Sequence, residues 1–595
     1  MRRLQDDRYW DILIHYMPAG EGRKSLVDDP KFFLAPDGKR DPSAELFATL
    51  DAMFDDSQSP PARCRFPARY EWLKETLPID TIRLPTPACP ELDNILFHVN
   101  PRSVTMIFAS AHMNAPASMF GHTFLRIDSA YESPLLSYAL NYAATINPKD
   151  GGIAYAFKGI FGHYPGYYSI LPYYEKVREY GSMEQRDLWE YSLNLTEREV
   201  RRMSLHVLEM RDIYSDYYFL DENCSYDLLF LLEAARPSAK LTDRNQGFFV
   251  TPIDTLRSVL AERMIDNTVF RPSTARRIRH KAAETEEAET LLAKALAAGD
   301  AAPSVVSEGT LPEPDRTRVL DLASDFTQYR YLRGEIPKDD YQKRFLGILT
   351  ARSEAGELPS EYRPLPVPAP PESGHLTSRG TLSGGVRDED PFLEVAYRPA
   401  YHSLDDPAEG FNEGSQIVFS EAAIRWYPED GKIRLQKWDL IDIVSISPRD
   451  TLFRPVSWKV QTGFATRDFP GGDESLVYIL NTGGGFAWKV SPLGLVYFLV
   501  EPELDVSGRY DRSFAFAMGG SAGIVRQAFD RWGVIAQARY VYGLLGDREQ
   551  GRRFTASLKM PYRITRNQSL VLEGEHSEAP SVHVGNFRLS WNVYF

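Results

Sequence analysis

The C-terminal third of this 595-residue chain consists of segments of about ten residues in which apolar and polar residues alternate. From residue 377 onward these segments are separated by Gly, Asp, Asn and Pro turns; examples are FLEVAYRPAYH, SQIVFSEAAIRWY and GVIAQARYVYGLL. A period of two places successive side chains on opposite faces of a strand. There are about twelve such segments, and closed bacterial barrels require an even number. The pattern therefore predicts an antiparallel β-barrel of about 12 strands.

The last segment, NFRLSWNVYF, shows the alternation most clearly. One face carries Phe587, Leu589, Trp591, Val593 and Phe595, and the other carries Arg588, Ser590, Asn592 and Tyr594. It resembles the C-terminal targeting strand of outer-membrane barrels, which commonly ends on Phe. A soluble β-sandwich or a lipocalin-like barrel with an apolar core has the same period, so alternation alone leaves that alternative open. The terminal Phe and the aromatic residues near strand ends favour the outer membrane.

The rest of the chain has a different sequence pattern, with predicted helices as well as strands. SVTMIFAS, HTFLRID and SYALNYAA predict strands, whereas LTEREVRRMSLHVLEMRD predicts an amphipathic helix with Thr196 as its N-cap. A further helix is expected up to Ala235, stopped by Pro237. We predict a multidomain chain: an α+β domain over 1–275, a charged helical hairpin over 276–360, a Pro-rich linker over 361–376 and the barrel over 377–595.

Composition limits the function classes. Hydrophobic content is 43%, charged content is 25% and the net charge is −14. This acidic balance argues against a general nucleic-acid binder, which needs a basic surface. No apolar run reaches the ~18 residues of a membrane-spanning helix. The start, MRRLQDDRYWDILIHY, has acidic residues where a signal peptide needs an apolar core, so we expect a signal that has been removed or a misplaced start.

Three cysteines are present, and an odd count in an exported protein suggests one bridge and one free thiol. Cys64 and Cys89 are close in the sequence, whereas Cys224 is distant. We predict a Cys64–Cys89 disulfide, which would place the protein outside the cytosol. The alternative is two unpaired buried thiols.

Cys224 is a candidate nucleophile because it begins an apolar helix, where unpaired N–H groups favour a thiolate and can stabilise an oxyanion. His122 opens a predicted strand directly after Gly121 and is a candidate base. Asn141 on the next strand is the candidate that orients the imidazole, with Asn147 as the reserve. The alternative is a small buried cysteine and a structural histidine.

Several blocks in residues 1–250 resemble one bacterial envelope family. They include RYWDILIHY, SVTMIFASAHMNAPASMFGHTFLRID and YYFLDENCSYDLLFLLEAARP. The family is named for the N-terminal periplasmic domain of Lnb, a lipoprotein N-acyltransferase. The resemblance implies a permuted papain-like fold, similar to NlpC-type peptidases and lecithin:retinol acyltransferases, with Cys224 as nucleophile and His122 as base. In Lnb the domain is followed by membrane helices, whereas a barrel is predicted here. The resemblance therefore does not determine the substrate.

Asn223 and Arg126 are candidate substrate-binding residues. Arg126 shares a strand face with His122 and could meet a lipid phosphate or simply pair with an acid. The spacing of His15, His112 and His163 does not indicate a metal site, and no cofactor is expected.

The leading hypothesis is a cell-envelope cysteine enzyme that transfers or hydrolyses acyl groups. The expected partners are outer-membrane lipid and a phospholipid or lipoprotein substrate. The alternatives are a cysteine peptidase or amidase on cell-wall peptides, and a non-catalytic outer-membrane structural or transport protein.

Overall fold

The computed structural model describes residues 4–55, 57, 60–78, 88–111, 113, 119–130, 133–147, 149–245, 247, 249–356, 362–470, 473–528, 531–580 and 582–595. The chain divides into two compact units. The first contains Met1–Ile278 and Tyr329–Pro337, and the second contains Arg279–Gln328 and Lys338–Phe595.

The first unit has a seven-stranded antiparallel sheet at its centre. In spatial order its strands are Tyr214–Tyr217, Tyr164–Pro172, Tyr138–Ala144, His122–Ser129, Pro101–Ala109, Leu188–Leu193 and Ile265–Arg271. The predicted strands around Val104, His122 and Asn141 are three adjacent members of this sheet. A separate hairpin pairs Tyr16–Ala19 with Gly22–Ser25.

Helices surround this sheet. Those up to residue 261 are Arg8–Ile14, Pro42–Met53, Ala62–Arg65, Pro67–Thr76, Pro90–Val99, Gly152–Ile160, Tyr173–Lys176, Glu197–Glu209, Cys224–Ala235, Leu241–Arg244 and Pro252–Ala261, with a π-helix at Val177–Met183. Short 3₁₀ turns lie at Pro30–Phe32 and Pro134–Leu136. Thr196 caps its helix with a capping box to Glu199, as the sequence predicts.

The helix Cys224–Ala235, called here the cysteine helix, is buried along its whole length. It packs against the strand His122–Ser129, against Tyr138–Ala144 and against the helix Glu197–Glu209. Its apolar run LLFLL is explained by this position, because a helix covered on all sides has no solvent-facing polar stripe. The packing fixes the start of the helix beside the sheet.

The predicted disulfide is confirmed: Cys64 is bonded to Cys89, and Cys224 is a free, buried thiol. The bridge joins the helix Ala62–Arg65 to the residue that precedes the helix Pro90–Val99.

The helical region is more divided than the two-helix hairpin expected over 276–360. Its helices are Thr274–Ala283, Glu287–Ala298, Ser304–Ser307, Glu313–Leu332 and Lys338–Glu354. The first predicted helix is broken after Ala283, and a new helix begins at Glu287 with Glu286 as its N-cap. None of the helices in the described ranges is long and apolar enough to cross a membrane.

The C-terminal part of the second unit is a closed antiparallel barrel of twelve long strands, which confirms the predicted number. The strands are Arg379–Arg387, Asp390–Arg398, Ser415–Tyr427, Lys432–Ser445, Ser457–Phe469, Asp473–Val490, Gly494–Val506, Phe514–Ala528, Trp532–Gly546, Arg553–Thr565, Gln568–Ala579 and Val582–Tyr594. Two short strands, Ala400–His402 and Pro448–Arg449, and a 3₁₀ turn, Pro371–Ser373, accompany them. The last strand pairs with the first, with Trp591 opposite Leu382, so the barrel closes.

The two faces of the barrel wall decide between a membrane barrel and a soluble one. Apolar side chains point outward and are exposed, among them Val395, Phe498, Tyr542, Phe587 and Leu589. Charged side chains point inward and pair with one another: Arg425 with Glu394 at 2.8 Å, Arg539 with Glu501 at 2.7 Å and Arg553 with Asp505 at 3.0 Å. A soluble barrel with an apolar core would have the opposite arrangement. The polarity is that of an outer-membrane barrel.

Candidate active site

Cys224 is the first residue of the cysteine helix, and Asn223 is the N-cap. The Asn223 carboxamide oxygen accepts hydrogen bonds from the Ser225 and Tyr226 backbone N–H groups, and its amide nitrogen donates to the Val250 carbonyl at 2.6 Å. Asn223 therefore holds the helix start in place. The prediction that it binds substrate is corrected, because both ends of its side chain are used inside the fold.

Cys224 is 2% exposed. The Thr123 backbone and the Tyr217 hydroxyl both act to lower the pKa of its thiol. The Cys224 backbone N–H in turn donates to the Tyr217 oxygen at 3.0 Å. Thr123 is the residue after His122, so the nucleophile candidate lies against the start of the histidine strand.

His122 is held by the next strand, as the sequence predicts. Its Nε2 lies 2.7 Å from the Asn141 Oδ1, and the two residues are both buried. A ring nitrogen that donates to an amide oxygen leaves Nδ1 as the basic atom. Gly121 makes this position possible: its φ is +98°, and a Cβ there would lie 2.6 Å from the Phe108 ring.

The electrostatics of the site favour neutral groups. Burial raises the pKa of the Cys224 thiol, although the Thr123 N–H, the Tyr217 hydroxyl and the Arg186 guanidinium act against that rise. Burial, reinforced by Arg186, lowers the pKa of His122 to about 3. At neutral pH Cys224 is therefore a thiol and His122 is an uncharged imidazole.

Burial favours the protonated, uncharged form of the acidic residues near Cys224. Burial and the neighbouring Asp221 and Asp28 raise the pKa of Glu222 to about 8. Burial raises the pKa of Asp221 and lifts that of Asp227 well above the usual range. A protonated carboxyl carries no charge, so Glu222 does not repel an anion at neutral pH.

Arg126 does not reach the candidate site. Its guanidinium is buried and forms ion pairs with Asp128 and Glu190, both at 2.5 Å. It also donates to the Thr105 hydroxyl at 3.1 Å. The geometry of Arg126 matches the predicted pairing with acids. The alternative prediction, contact with a lipid phosphate, does not fit a guanidinium that is already paired inside the fold.

The remaining candidates lie elsewhere. His15 is buried against the Phe230 ring and is 3.0 Å from His206, and His163 is exposed beside Phe157. Asn147 accepts a hydrogen bond from the Lys149 N–H in a turn. Asn141, and not Asn147, is hydrogen-bonded to the His122 ring. His112 falls outside the described residues.

Sequence reasoning missed two side chains at the site. Tyr217 comes from the edge strand Tyr214–Tyr217, and no spacing rule connects it to Cys224. The Arg186 guanidinium is buried, donates to the Ala109 and Ser110 carbonyls at 2.8 and 2.6 Å and lies over the Tyr180 ring. The Tyr180 ring in turn lies 5.5 Å from the His122 ring.

An exposed aromatic helix is connected to the site. Gly159 of the helix Gly152–Ile160 accepts the Phe219 N–H at 2.9 Å, and a Cβ on Gly159 would lie 2.2 Å from the Phe219 ring. Phe219 contacts Tyr217 with 5.9 Å between ring centroids. Phe157 of this helix and Phe161, its C-cap, are 56% and 55% exposed, with ring centroids 4.6 Å apart.

One segment of the chain is similar to a known family. Residues 91–262 match the model of the Lnb N-terminal periplasmic domain. Cys224, His122 and Asn141 all fall inside this Lnb-like segment. The remaining matches are to domains of unknown function: DUF7843 at residues 2–76, DUF7842 at 268–364 and DUF7840 at 368–594.

None of the curated proteins matches this chain. Among solved structures, the KdgM porin is 10% identical, with 36% of this chain and 99% of the porin covered and a TM-score of 0.23. The β domain of the Bordetella autotransporter BrkA is 10% identical, covering 37% of this chain and 99% of that domain, with a TM-score of 0.21. An outer-membrane protein of Vibrio cholerae, the loop-deleted OmpT, is 9% identical, covering 37% and 98%, with a TM-score of 0.20.

The Lnb-like segment and the barrel together define the location of the protein. The segment matches a periplasmic domain family, and the barrel has the outward apolar and inward charged faces of an outer-membrane barrel. The chain is a cell-envelope protein in which an outer-membrane barrel carries a periplasmic domain.

Proposed function

We propose that this protein is a cysteine enzyme that moves acyl groups from membrane phospholipid through a thioester on Cys224. One observation carries the proposal: the cysteine helix, which begins at Cys224, packs against the strand that begins at His122, and His122 is oriented by Asn141. Thiol, base and orienting amide are the three parts that cysteine acyl transfer needs. Their order in the chain, with His before Cys, agrees with the expected permuted papain-like fold.

In the first half-reaction, the Cys224 sulfur attacks the carbonyl carbon of an ester while Nδ1 of His122 accepts the thiol proton. The negative charge that forms on the carbonyl oxygen is stabilised by the Cys224 backbone N–H and by the Tyr217 hydroxyl, which turns from the sulfur toward that oxygen. The ester C–O bond then breaks, and the imidazolium returns the proton to the leaving alcohol.

In the second half-reaction, an amine or water attacks the thioester while His122 accepts its proton. The C–S bond breaks, and Cys224 leaves as a thiolate that regains the proton from the imidazolium. An amine acceptor such as a lipoprotein N-terminus gives an amide, and water gives a fatty acid. The resemblance to a lipoprotein N-acyltransferase family favours the amine.

The exposed aromatic pair favours a lipid donor over a peptide. Phe157 and Phe161 lie one helical turn apart, and both rings are more than half exposed. Aromatic side chains on one face of a helix insert into the interfacial layer of a bilayer. The helix is joined through Phe219 and Tyr217 to the thiol, so a lipid held there would lie near the nucleophile.

The test is acyl labelling of the full-length protein in detergent micelles with a fluorescent acyl-phospholipid. We expect label on the wild type, removal of that label by hydroxylamine, and no label on Cys224→Ala. His122→Gln should label at least ~100-fold more slowly, the usual size of a general-base contribution. The matched control is His98→Gln, an exposed histidine on the helix Pro90–Val99, which should label like the wild type.

Absence of label on the wild type, or equal label on Cys224→Ala, would refute the acyl-enzyme. Incubation with muropeptides and mass analysis then distinguishes the peptidase alternative from a non-catalytic protein. Cleavage that depends on Cys224 would support the peptidase.

A further inference from the structure

The barrel carries a cluster of metal-ligating side chains at one end of its last hairpin. His576 and Glu578 are two residues apart on the strand Gln568–Ala579, and His583 lies on the strand Val582–Tyr594 directly opposite Glu578. All three side chains are exposed. Because their positions alternate with the inward-facing residues Glu575 and Val584, they project from the outer surface of the wall.

The ligand atoms of the cluster lie close enough to share one ion. The Nε2 of His576 is 3.1 Å from the Glu578 Oε1, and the Nδ1 of His583 is 3.9 Å from the same oxygen. The three ligand atoms all lie within 4.8 Å of one another. In a tetrahedral zinc site with bonds of about 2.1 Å, neighbouring ligand atoms are about 3.4 Å apart, so small side-chain rotations suffice.

The backbone around the cluster leaves room for an ion. Gly585, opposite His576, offers no side chain to block the ring, and the Gly585 N–H donates to the Asp388 carboxylate at 2.8 Å. This carboxylate of the adjacent hairpin adds negative charge near the cluster. Two imidazoles and a carboxylate are ligands for Zn²⁺ and similar transition-metal dications, whereas Mg²⁺ and Ca²⁺ prefer oxygen alone.

A second histidine cluster in the barrel is a poor metal site by comparison. His375 and His402 are hydrogen-bonded to each other at 3.0 Å beside the buried Asp406. Asp406 already pairs with Arg398 at 2.7 Å and with Arg379 at 2.8 Å. Two guanidinium groups at the same carboxylate repel a dication.

We propose that His576, Glu578 and His583 form a zinc-class metal site on the outer rim of the barrel, with water completing the coordination. The site lies past the apolar residues Phe587 and Leu589, at the end of the barrel opposite the chain terminus, where Ser378 and Phe595 are hydrogen-bonded. Since the chain enters the barrel from its periplasmic domain at the Ser378 end, the metal site faces the cell exterior. It is independent of the acyl-transfer proposal.

The test is a ZnCl₂ titration of the full-length protein in detergent, without a histidine tag, in competition with a chromogenic zinc indicator. A Cys224→Ala background prevents the buried thiol and imidazole from binding the metal. We expect one zinc per chain, and at least about tenfold weaker binding in His576→Ala and in His583→Ala. The matched control is His98→Ala, which should bind like the parent.

These positions are exposed, so the variants should keep the parent's heat-modifiable migration on gels, which checks that the barrel folds. Glu578→Gln should also weaken binding, because it removes the charged ligand. The proposal is overturned if the parent does not compete with the indicator for zinc, or if both histidine variants bind as tightly as the parent.

Discussion

At the scale of single residues, Cys224 and His122 are both uncharged at neutral pH. Burial raises the pKa of the thiol and lowers that of the imidazole to about 3. A preformed thiolate–imidazolium pair would need the opposite shifts. The thiol proton would therefore move from Cys224 to His122 during attack on the substrate, and no thiolate would be present beforehand.

This predicts a characteristic pH profile for alkylation of Cys224 by iodoacetamide. The rate should rise steadily with pH through and beyond about pH 9, because the thiolate fraction grows until the raised thiol pKa is reached. It should have no plateau in the acid range, because His122 stays neutral down to about pH 3. Mass spectrometry of the Cys224 peptide measures the rate. A plateau at mildly acidic to neutral pH would show an ion pair instead.

Tyr217 is the second residue-scale prediction. Tyr217→Phe removes a donor for the oxyanion and should slow acyl labelling roughly 100-fold. The matched control is Tyr168→Phe, which loses a buried hydroxyl that donates to the Asp227 carbonyl and does not touch the sulfur. Alkylation of Cys224 in the Tyr217→Phe variant, at a pH above the thiol pKa, should remain close to that of the wild type. Equal labelling by both tyrosine variants would exclude Tyr217 from catalysis.

At the scale of elements, the helix Gly152–Ile160 combines a tightly packed inner side with an exposed aromatic outer side. Gly159 permits contact with Phe219 that a larger residue would prevent. The rings of Phe157 and Phe161 take no part in that contact, and both are exposed. A stability role therefore does not account for these two rings.

The double variant Phe157→Ser, Phe161→Ser should reduce labelling from phospholipid vesicles at least about tenfold, because interfacial binding scales with buried apolar area. Labelling from a short-chain, water-soluble ester should be nearly unchanged. Phe97→Ser is the matched control, since Phe97 is 80% exposed on another helix of the same unit. An equal loss with both donors would assign the two rings to folding.

At the scale of the whole molecule, the inner face of the barrel wall carries charged side chains that pair with one another. The chain after Arg398 turns inward, and its Asp406 is held by Arg379, by Arg398 and by the Tyr594 hydroxyl at 2.8 Å. This arrangement ties the inward segment to the wall and favours an anchor over an open pore.

We accordingly expect the full-length protein in planar lipid bilayers to conduct little compared with a porin. Asp406→Ala releases the inward segment and should increase the conductance. Glu413→Ala, which removes an exposed pair with Lys489 at 2.8 Å, is the matched control and should change nothing. A large, steady conductance of the wild type would instead support the transport alternative.

The sequence by itself determined the elements that depend on local pattern. The twelve strands follow from the period of two, the capped helix at Thr196 from its capping box, and the disulfide from the count and proximity of Cys64 and Cys89. The pairing of His122 with Asn141 was also predictable, because neighbouring strands align their ends. These features need only nearby residues or a repeating face.

Only the tertiary structure decided what depends on distant segments. It assigned Arg126 to a buried ion-pair cluster and Asn223 to a helix cap. Arg126 pairs with a buried carboxylate, and Asn223 hydrogen-bonds to backbone groups. It brought Tyr217 and Arg186 to the thiol from separate strands and loops. It also decided which face of the barrel is apolar, since alternation has the same period for either face, and the direction of the side chains is set only when the barrel closes.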